Sequence, residues 1–266
     1  MRAVSVVVLA CLMLLAGCAA PARAPREVAA QLAPSGTLRA AINFGNPILA
    51  TRGTDGEARG VSVDLAHELG RRLGVPVQLV LYQAAGRVVE GIKAGAWDLA
   101  FVAIDPLRGN EIDYSAAYVV IEGAYLVRQD SPIRANAEVD RPGIRIAAAR
   151  GSAYDLYLSR ELKNAKIVHA ATSQEVVNTF FGMNLDVAAG VRQQAEADAR
   201  RIPGLRLLDG RFMVINQAMG IPKGRPAGLA YLRDFVEEMK ASGVVAAALE
   251  RHRIQGAAVA PAARAP

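Results

Sequence analysis

Hydrophobic and polar positions along this chain switch between two periods. Residues 37–43, TLRAAIN, form a short β-like run. Residues 61–74, VSVDLAHELGRRLG, put Val61, Leu65, Leu69 and Leu73 on one helical stripe, with Gly74 as the stop. A strand over 75–82 (VPVQLVLY), a helix over 85–95 and a strand over 97–104 (WDLAFVAI) follow. This βαβαβ order predicts a parallel sheet with helices on its faces. The pattern then restarts with a strand over 143–149, a helix over 152–164 and a strand over 166–170. Thr172 and Glu175 form a capping-box pair that opens the next helix, and LDVAAG (185–190) supplies another strand. Two such units predict an α/β fold of two lobes. Beyond a strand and turn over 217–224, a long helix over 227–243 carries Leu229, Leu232, Phe235, Val236 and Met239 on its apolar face, and a shorter helix closes near Arg251. Two lobes need a connection, and segments 119–128 and 212–221 are placed to supply it as a pair.

The ends of the chain read differently. Arg2 precedes an apolar stretch that stops at Cys18, too short to span comfortably as a permanent helix, so residues 1–17 are expected to be an export signal. A plain signal peptide with an Ala-x-Ala-like cleavage site is one form. The other is lipidation, because Leu15-Ala16-Gly17-Cys18 resembles a bacterial lipobox, and an acylated Cys18 would anchor the protein to a membrane. Residues 18–35 are Ala/Pro-rich and are expected to be a tether. Residues 253–266 are similarly biased and are expected to be a disordered tail.

Charge and candidate chemistry narrow the function. The 31 basic and 25 acidic residues leave a formal charge of +6, but the basic residues are dispersed, and no stripe tracks a nucleic-acid backbone. The two cysteines are Cys11, inside the signal, and Cys18, at its end, so neither a disulfide nor a thiolate metal site is expected. His67, His169 and His252 have no ligand spacing. No metal or cofactor is implied.

The stretch AFVAIDPLRGNEIDYS (100–115) delivers an arginine just beyond a buried strand. Asp105 suits a helix N-cap and Pro106 the first helical position, which places Arg108 in the first turn, at the carboxyl end of a sheet strand. Ligands of open α/β sheets bind at that edge, and a planar guanidinium grips a carboxylate through two bonds. Alternatively Arg108 pairs with Glu111 or Asp113 on its own helix. Gly151-Ser152 begins a helix in the second unit, where backbone N–H groups can take a carboxylate oxygen, while Ser152 can also simply cap the helix.

Six stretches in order resemble the bacterial extracellular solute-binding proteins of family 3, the receptors of polar-amino-acid ABC importers. They are GTLRAAIN, ARGVSVDLAHELGRRLGVPVQLV, AGAWDLAFVAIDPLRGNEIDYSAAYV, AAARGSAYDLYL, AMGIPKG and EEMKASG, within about residues 36–252. The resemblance implies a two-lobed periplasmic-binding-protein fold, in which two open α/β lobes joined by two crossover strands close on a solute. Lobe one would be residues 36–121 with 217–252, lobe two 129–212, and the hinge 122–128 with 213–216. It implies a monomer that passes a small molecule to a permease, with Arg108 on the ligand's carboxylate. In the family's Ile-Thr-Pro-Glu-Arg pattern Asp105 stands in place of threonine, and Ala153 replaces the threonine that often follows Ser152.

Other positions depart further. The aspartate that holds an α-ammonium in typical members falls at Val191, followed by Arg192-Gln193. The family's aromatic pair becomes Asn46-Pro47-Ile48-Leu49, just after Asn43-Phe44, leaving Phe44 as the candidate stacking ring. Glu122 or Asp105 could replace the missing acid, although Glu122 could equally be an exposed hinge residue. If Arg192 faces the cleft, the solute is an anion without an amine, such as a dicarboxylate. If it only starts a polar helix, it points to water. The competing functions are a cyclohexadienyl-dehydratase-like enzyme, with Glu122 or Asp155 as general acid, and a sensory receptor without transport.

Overall fold

The computed structural model describes residues 24–263. The signal segment, Cys18 and the first part of the tether lie outside the described residues. The helices and strands follow in order as α1 (Arg26–Leu32), β1 (Leu38–Asn43), β2 (Thr51–Arg52), β3 (Ala58–Arg59), α2 (Val61–Leu73), β4 (Val77–Tyr82), α3 (Ala85–Lys93), β5 (Leu99–Ala103) and β6 (Ile112–Arg128). Next come β7 (Arg145–Ala149), α4 (Ala153–Glu161), β8 (Lys166–Ala170), α5 (Val176–Gly182), β9 (Val187–Val191), α6 (Arg192–Arg201) and β10 (Leu205–Leu207). The chain ends with β11 (Met213–Pro222), α7 (Pro226–Ala241), α8 (Val244–Arg251) and β12 (Ala258–Val259).

The strands lie in the order β4-β1-β5-β11-β6-β9-β7-β8. In one lobe β1 is parallel to both β4 and β5; in the other β7 is parallel to β8 and β9. The long strands β6 and β11 run antiparallel and join the two halves: β11 pairs with β5, and β6 pairs with β9. This is the two-lobed architecture with paired crossover strands. The first lobe buries Leu65, Leu69 and Leu73 of α2 with Leu232, Phe235 and Val236 of α7 on one sheet face, and Trp97 and Val88 on the other. The second lobe packs Tyr154, Leu158 and Phe180 around Ile146 and Val187. Helix α2 stops where expected, because Gly74 adopts a left-handed conformation with φ 68°.

Buried polar groups hold the first lobe in register. Asp98, just ahead of β5, is fully buried and accepts from Arg39 Nε (2.8 Å) and Nη2 (2.9 Å). Arg225, ahead of α7, adds a longer ion pair of 3.4 Å.

Three local expectations are corrected. Residues 26–32 of the supposed tether form α1: Val28 and Leu32, four apart, bury one stripe in the lobe-one core, and Gln31 Oε1 accepts from the Gly228 N–H at 2.9 Å. The supposed tail pairs Ala258 and Val259 with Val120 and Val119 of β6, and the Ala260 N–H donates to Tyr118 O at 3.1 Å. Composition suggested disorder at both ends, yet an apolar stripe and an open strand edge capture them. Thr172 makes no side-chain cap; Ser173–Glu175 is a single 3₁₀ turn leading into α5.

Candidate functional site

Arg108 lies on the seam between the lobes. Beyond β5, Asp105 Oδ1 accepts from the Leu107 N–H at 2.9 Å and tightens the chain into a turn. The expected helix shrinks to one 3₁₀ turn, Arg108–Asn110, because the backbone enters β6 at Ile112. Arg108 is 3 % exposed. Its Nη1 donates to Ala103 O at 2.9 Å, and its Nη2 crosses to Gly151 O of the second lobe at 2.8 Å. Its Nε is buried without a partner among the described residues. Neither Glu111 nor Asp113 pairs with it, so the alternative of an ion pair on its own helix fails; Glu111 faces Lys93 at 4.0 Å. Burial lowers the guanidinium's pKa, opposed by the nearby Tyr114 and Asp105. The result is a buried cation bonded only to carbonyl groups.

Other contacts draw the lobes together. Arg160 Nη1 meets Asp105 Oδ2 at 2.8 Å, and Gln174 Nε2 donates to Phe44 O at 2.9 Å. Gly151 has φ +68°, and a Cβ there would stand 2.8 Å from Gly86 Cα of the facing lobe. Only glycine suits both the left-handed backbone and this close approach. Asp105 is therefore a bridge between lobes and has no carboxylate oxygen aimed at Arg108.

Two small adjoining cavities, partly open to solvent, lie along this seam. The first touches Arg108 and is lined by Asn43, Asn46, Ser152, Tyr154, Ser173 and Gln217 among others. The second is mostly aliphatic, with Pro47, Ile48, Val176 and Val177, and carries Gln194 and Asp198 as polar walls. Asn46, Tyr154, Ser173 and Val191 border both.

The second-lobe wall works differently from expectation. The Gly151 N–H donates to Asp155 Oδ2 (2.7 Å), and the Ser152 N–H to Ala149 O (3.1 Å), so neither is free for an anion. Gly151 contributes its carbonyl to Arg108 instead. Ser152 Oγ caps α4 by accepting from the Asp155 N–H at 3.1 Å. The free N–H groups at this helix start belong to Ala153 and Tyr154, which border the same cavity. Asp155 is also 2.8 Å from His169 Nε2.

The structure removes several other candidates from the cleft. Arg192 Nε donates to Glu122 Oε2 at 2.8 Å, and its Nη2 bonds Gly210 O. Arg211 Nη1 reaches the other Glu122 oxygen at 2.7 Å. Arg211 and Arg192 together hold the Glu122 carboxyl below the usual carboxylate range, so it is an ionised hinge group and no proton donor. Gln193 packs against the chain end, where a Cβ on Gly256 would lie 2.7 Å from its Nε2. The Phe44 ring lies under Arg52, 5.1 Å from its guanidinium carbon, and does not border the first cavity. Asn43 Oδ1 accepts from the Gly45 N–H (2.9 Å) and Asn46 Oδ1 from the Ile48 N–H (3.3 Å), which leaves their amide nitrogens as donors at the cavity wall. Sequence reasoning missed Tyr154, Ser173, Gln194, Asp198 and Gln217. For Gln217 a signal existed: a polar residue directly ahead of the apolar run Ala218–Ile221, in the same strand.

Comparison with known proteins agrees with this fold. The sequence model of the bacterial extracellular solute-binding proteins, family 3, matches residues 38–254. No curated protein matches the chain. Among solved structures, a solute receptor for L-cysteine from Neisseria gonorrhoeae is similar at 20% identity and TM-score 0.74, over 86% of this chain and 94% of that one. An amino acid ABC transporter substrate-binding protein from Streptococcus pneumoniae, bound to L-arginine, is similar at 18% identity and TM-score 0.71, over 83% and 96%. An ancestral amino-acid-binding protein, described as a precursor of cyclohexadienyl dehydratase, shares 22% identity at TM-score 0.70, over 84% and 98%.

Proposed function

The chain belongs to the bacterial extracellular solute-binding proteins, family 3, and from that premise we propose that it captures a small carboxylate-bearing solute between its lobes and delivers it to an ABC importer. One observation carries the reading: Arg108, buried on the seam, has among the described residues a partnerless Nε and no acid bonded to it. Closing the lobes takes this cation out of water, which is costly without an anion. A carboxylate entering the first cavity supplies the missing charge, so closure becomes dependent on solute. The free N–H groups of Ala153 and Tyr154 can share its second oxygen.

The dehydratase alternative needs a general acid facing a leaving hydroxyl. Asp198 is the carboxylate that borders the cavities, and it already accepts from Gln194 Nε2 (3.1 Å) and Arg201 Nη2 (2.8 Å). Glu122 and Asp155 do not border them. The capture reading therefore accounts for more of the site.

We place the protein at the periplasmic face of a membrane, held by a lipid on Cys18. Among the described residues no helix is long and apolar enough to cross a membrane. Cys18→Ser should release the protein from the detergent-extracted membrane fraction, and unchanged partitioning would remove the anchor. For capture itself, a thermal-shift screen of carboxylates identifies a ligand, and small-angle scattering with that ligand should show a smaller radius of gyration than the free protein. A rigid profile at saturation would refute capture by closure.

A further inference from the structure

We infer that the cleft selects a monoanionic carboxylate with a compact aliphatic body and no α-ammonium, the class of short-chain 2-oxo and 2-hydroxy acids; this rests on the proposed capture of a carboxylate at Arg108. It follows from the charges that line the two cavities. They are Arg108, Arg150 and Asp198. Arg150 is exposed and keeps its water. Asp198 is buried but already ion-paired with Arg201 at 2.8 Å. That leaves the Arg108 cation as the one charge inside the closed seam without a counter-ion among the described residues.

A monocarboxylate brings the enclosed charge to zero. A zwitterionic amino acid leaves it at one positive unit, because its ammonium cancels its own carboxylate and meets no unpaired acid. A dicarboxylate leaves one negative unit. The cations nearest to hand for a second carboxylate are tied elsewhere, Arg192 to Glu122 at 2.8 Å and Arg160 to Asp105 at 2.8 Å. An enclosed charge without a partner is penalised by several kcal/mol, at about 1.4 kcal/mol per tenfold in affinity. The neutral groups beside Arg108 fit an oxo or hydroxyl oxygen instead: the Asn46 amide, whose oxygen is occupied by Ile48 N–H, and the Gln217 amide, whose side chain has no hydrogen bond among the described residues. The adjoining cavity, walled by Pro47, Ile48, Val176, Val177 and Val191, takes an aliphatic body.

Calorimetric titration tests this with matched pairs: 3-methyl-2-oxobutanoate against valine, 4-methyl-2-oxopentanoate against leucine, and 2-oxoglutarate as the dianion. At least one branched oxo acid should bind at least about tenfold more tightly than its amino acid and than 2-oxoglutarate. Val191→Asp adds a carboxylate where the cavities meet, at the N-cap of α6, a position that favours aspartate. It should reverse the preference toward the amino acid. An amino acid or 2-oxoglutarate that matches or outcompetes the oxo acids, while depending on Arg108, overturns the inference and leaves the capture site standing. Silence of the whole panel also overturns it. Oxo-acid binding that survives Arg108→Ala overturns the capture site itself.

Discussion

Replacing Arg108 should separate affinity from stability. With the lobes closed as they are here, the guanidinium makes two charge-assisted bonds, to Ala103 O and Gly151 O, and has one buried donor unpaired among the described residues. Bonds of this kind contribute about 1.5–3 kcal/mol each, so about 3–6 kcal/mol together. Desolvation of an ion without an anion costs several kcal/mol and nearly cancels that gain. Arg108→Met, which keeps the apolar stem volume, should therefore move the unfolding free energy by no more than about 1–2 kcal/mol. Binding has no such cancellation. A carboxylate buried without its counter-charge loses about 3–5 kcal/mol, or two to three and a half decades of affinity. Arg108→Lys should bind poorly as well, since an ammonium cannot form the planar fork. The assay is titration calorimetry with the solute found by screening, beside urea unfolding of the same samples. Equal affinities in two folded proteins would show that Arg108 is not at the solute, and the placement of the cleft would fall with it.

Asp98→Ala should destabilise the first lobe by about 3–5 kcal/mol, because it strands the Arg39 guanidinium against a buried strand end; a change below about 1 kcal/mol in urea unfolding would contradict this. Removing residues 256–266 strips the strand pairing from Val119 and Val120 and the Ala260 N–H bond to Tyr118, and should lower stability by about 1–3 kcal/mol. An unaltered urea midpoint would mean that the end does not dock in solution. Glu68 is held at a pKa of about 2, below its ordinary 4.5, chiefly by the hydrogen bond from Arg71. A lowered folded-state pKa stabilises above the unfolded value, so this contribution is present above about pH 4.5 and disappears as pH falls toward 2. Wild type should thus lose more stability than Glu68→Gln between pH 5 and about pH 2.5, and parallel pH profiles would refute the linkage.

Much of the fold was legible in local pattern. A stripe at Val61, Leu65, Leu69 and Leu73 ended by a left-handed glycine is enough to define α2, since helix period and stop signal are properties of neighbouring residues. The alternation of strands and helices indicated two parallel units, and the segments expected to connect them, 119–128 and 212–221, lie almost wholly in the paired strands β6 and β11. Placing Arg108 at the end of β5 followed from the same logic, because the end of a parallel strand is where an open sheet meets its ligand.

What lay beyond the sequence depends on partners far away along the chain. Arg192 and Glu122 are 70 residues apart, and nothing near either one foretells that the hinge carboxylate ties the arginine away from the cleft. Asp105 meets Arg160 across 55 residues, which makes it a bridge between lobes. The Gly151-Ser152 turn is visible in sequence, but the direction of its N–H groups is set by Asp155 and Ala149, and so its carbonyl, not its N–H, faces Arg108. At the ends of the chain, Ala/Pro-rich composition lowers the expectation of order, whereas docking needs only one stripe at Val28 and Leu32 or one free edge at Val119 and Val120. Sequence by itself determined most of the elements within the two units and the position of the arginine, because short-range periodicity and turn chemistry specify these. Only the tertiary structure decided which charges are paired and which one is left waiting in the seam, because ion pairing depends on distances that folding alone creates.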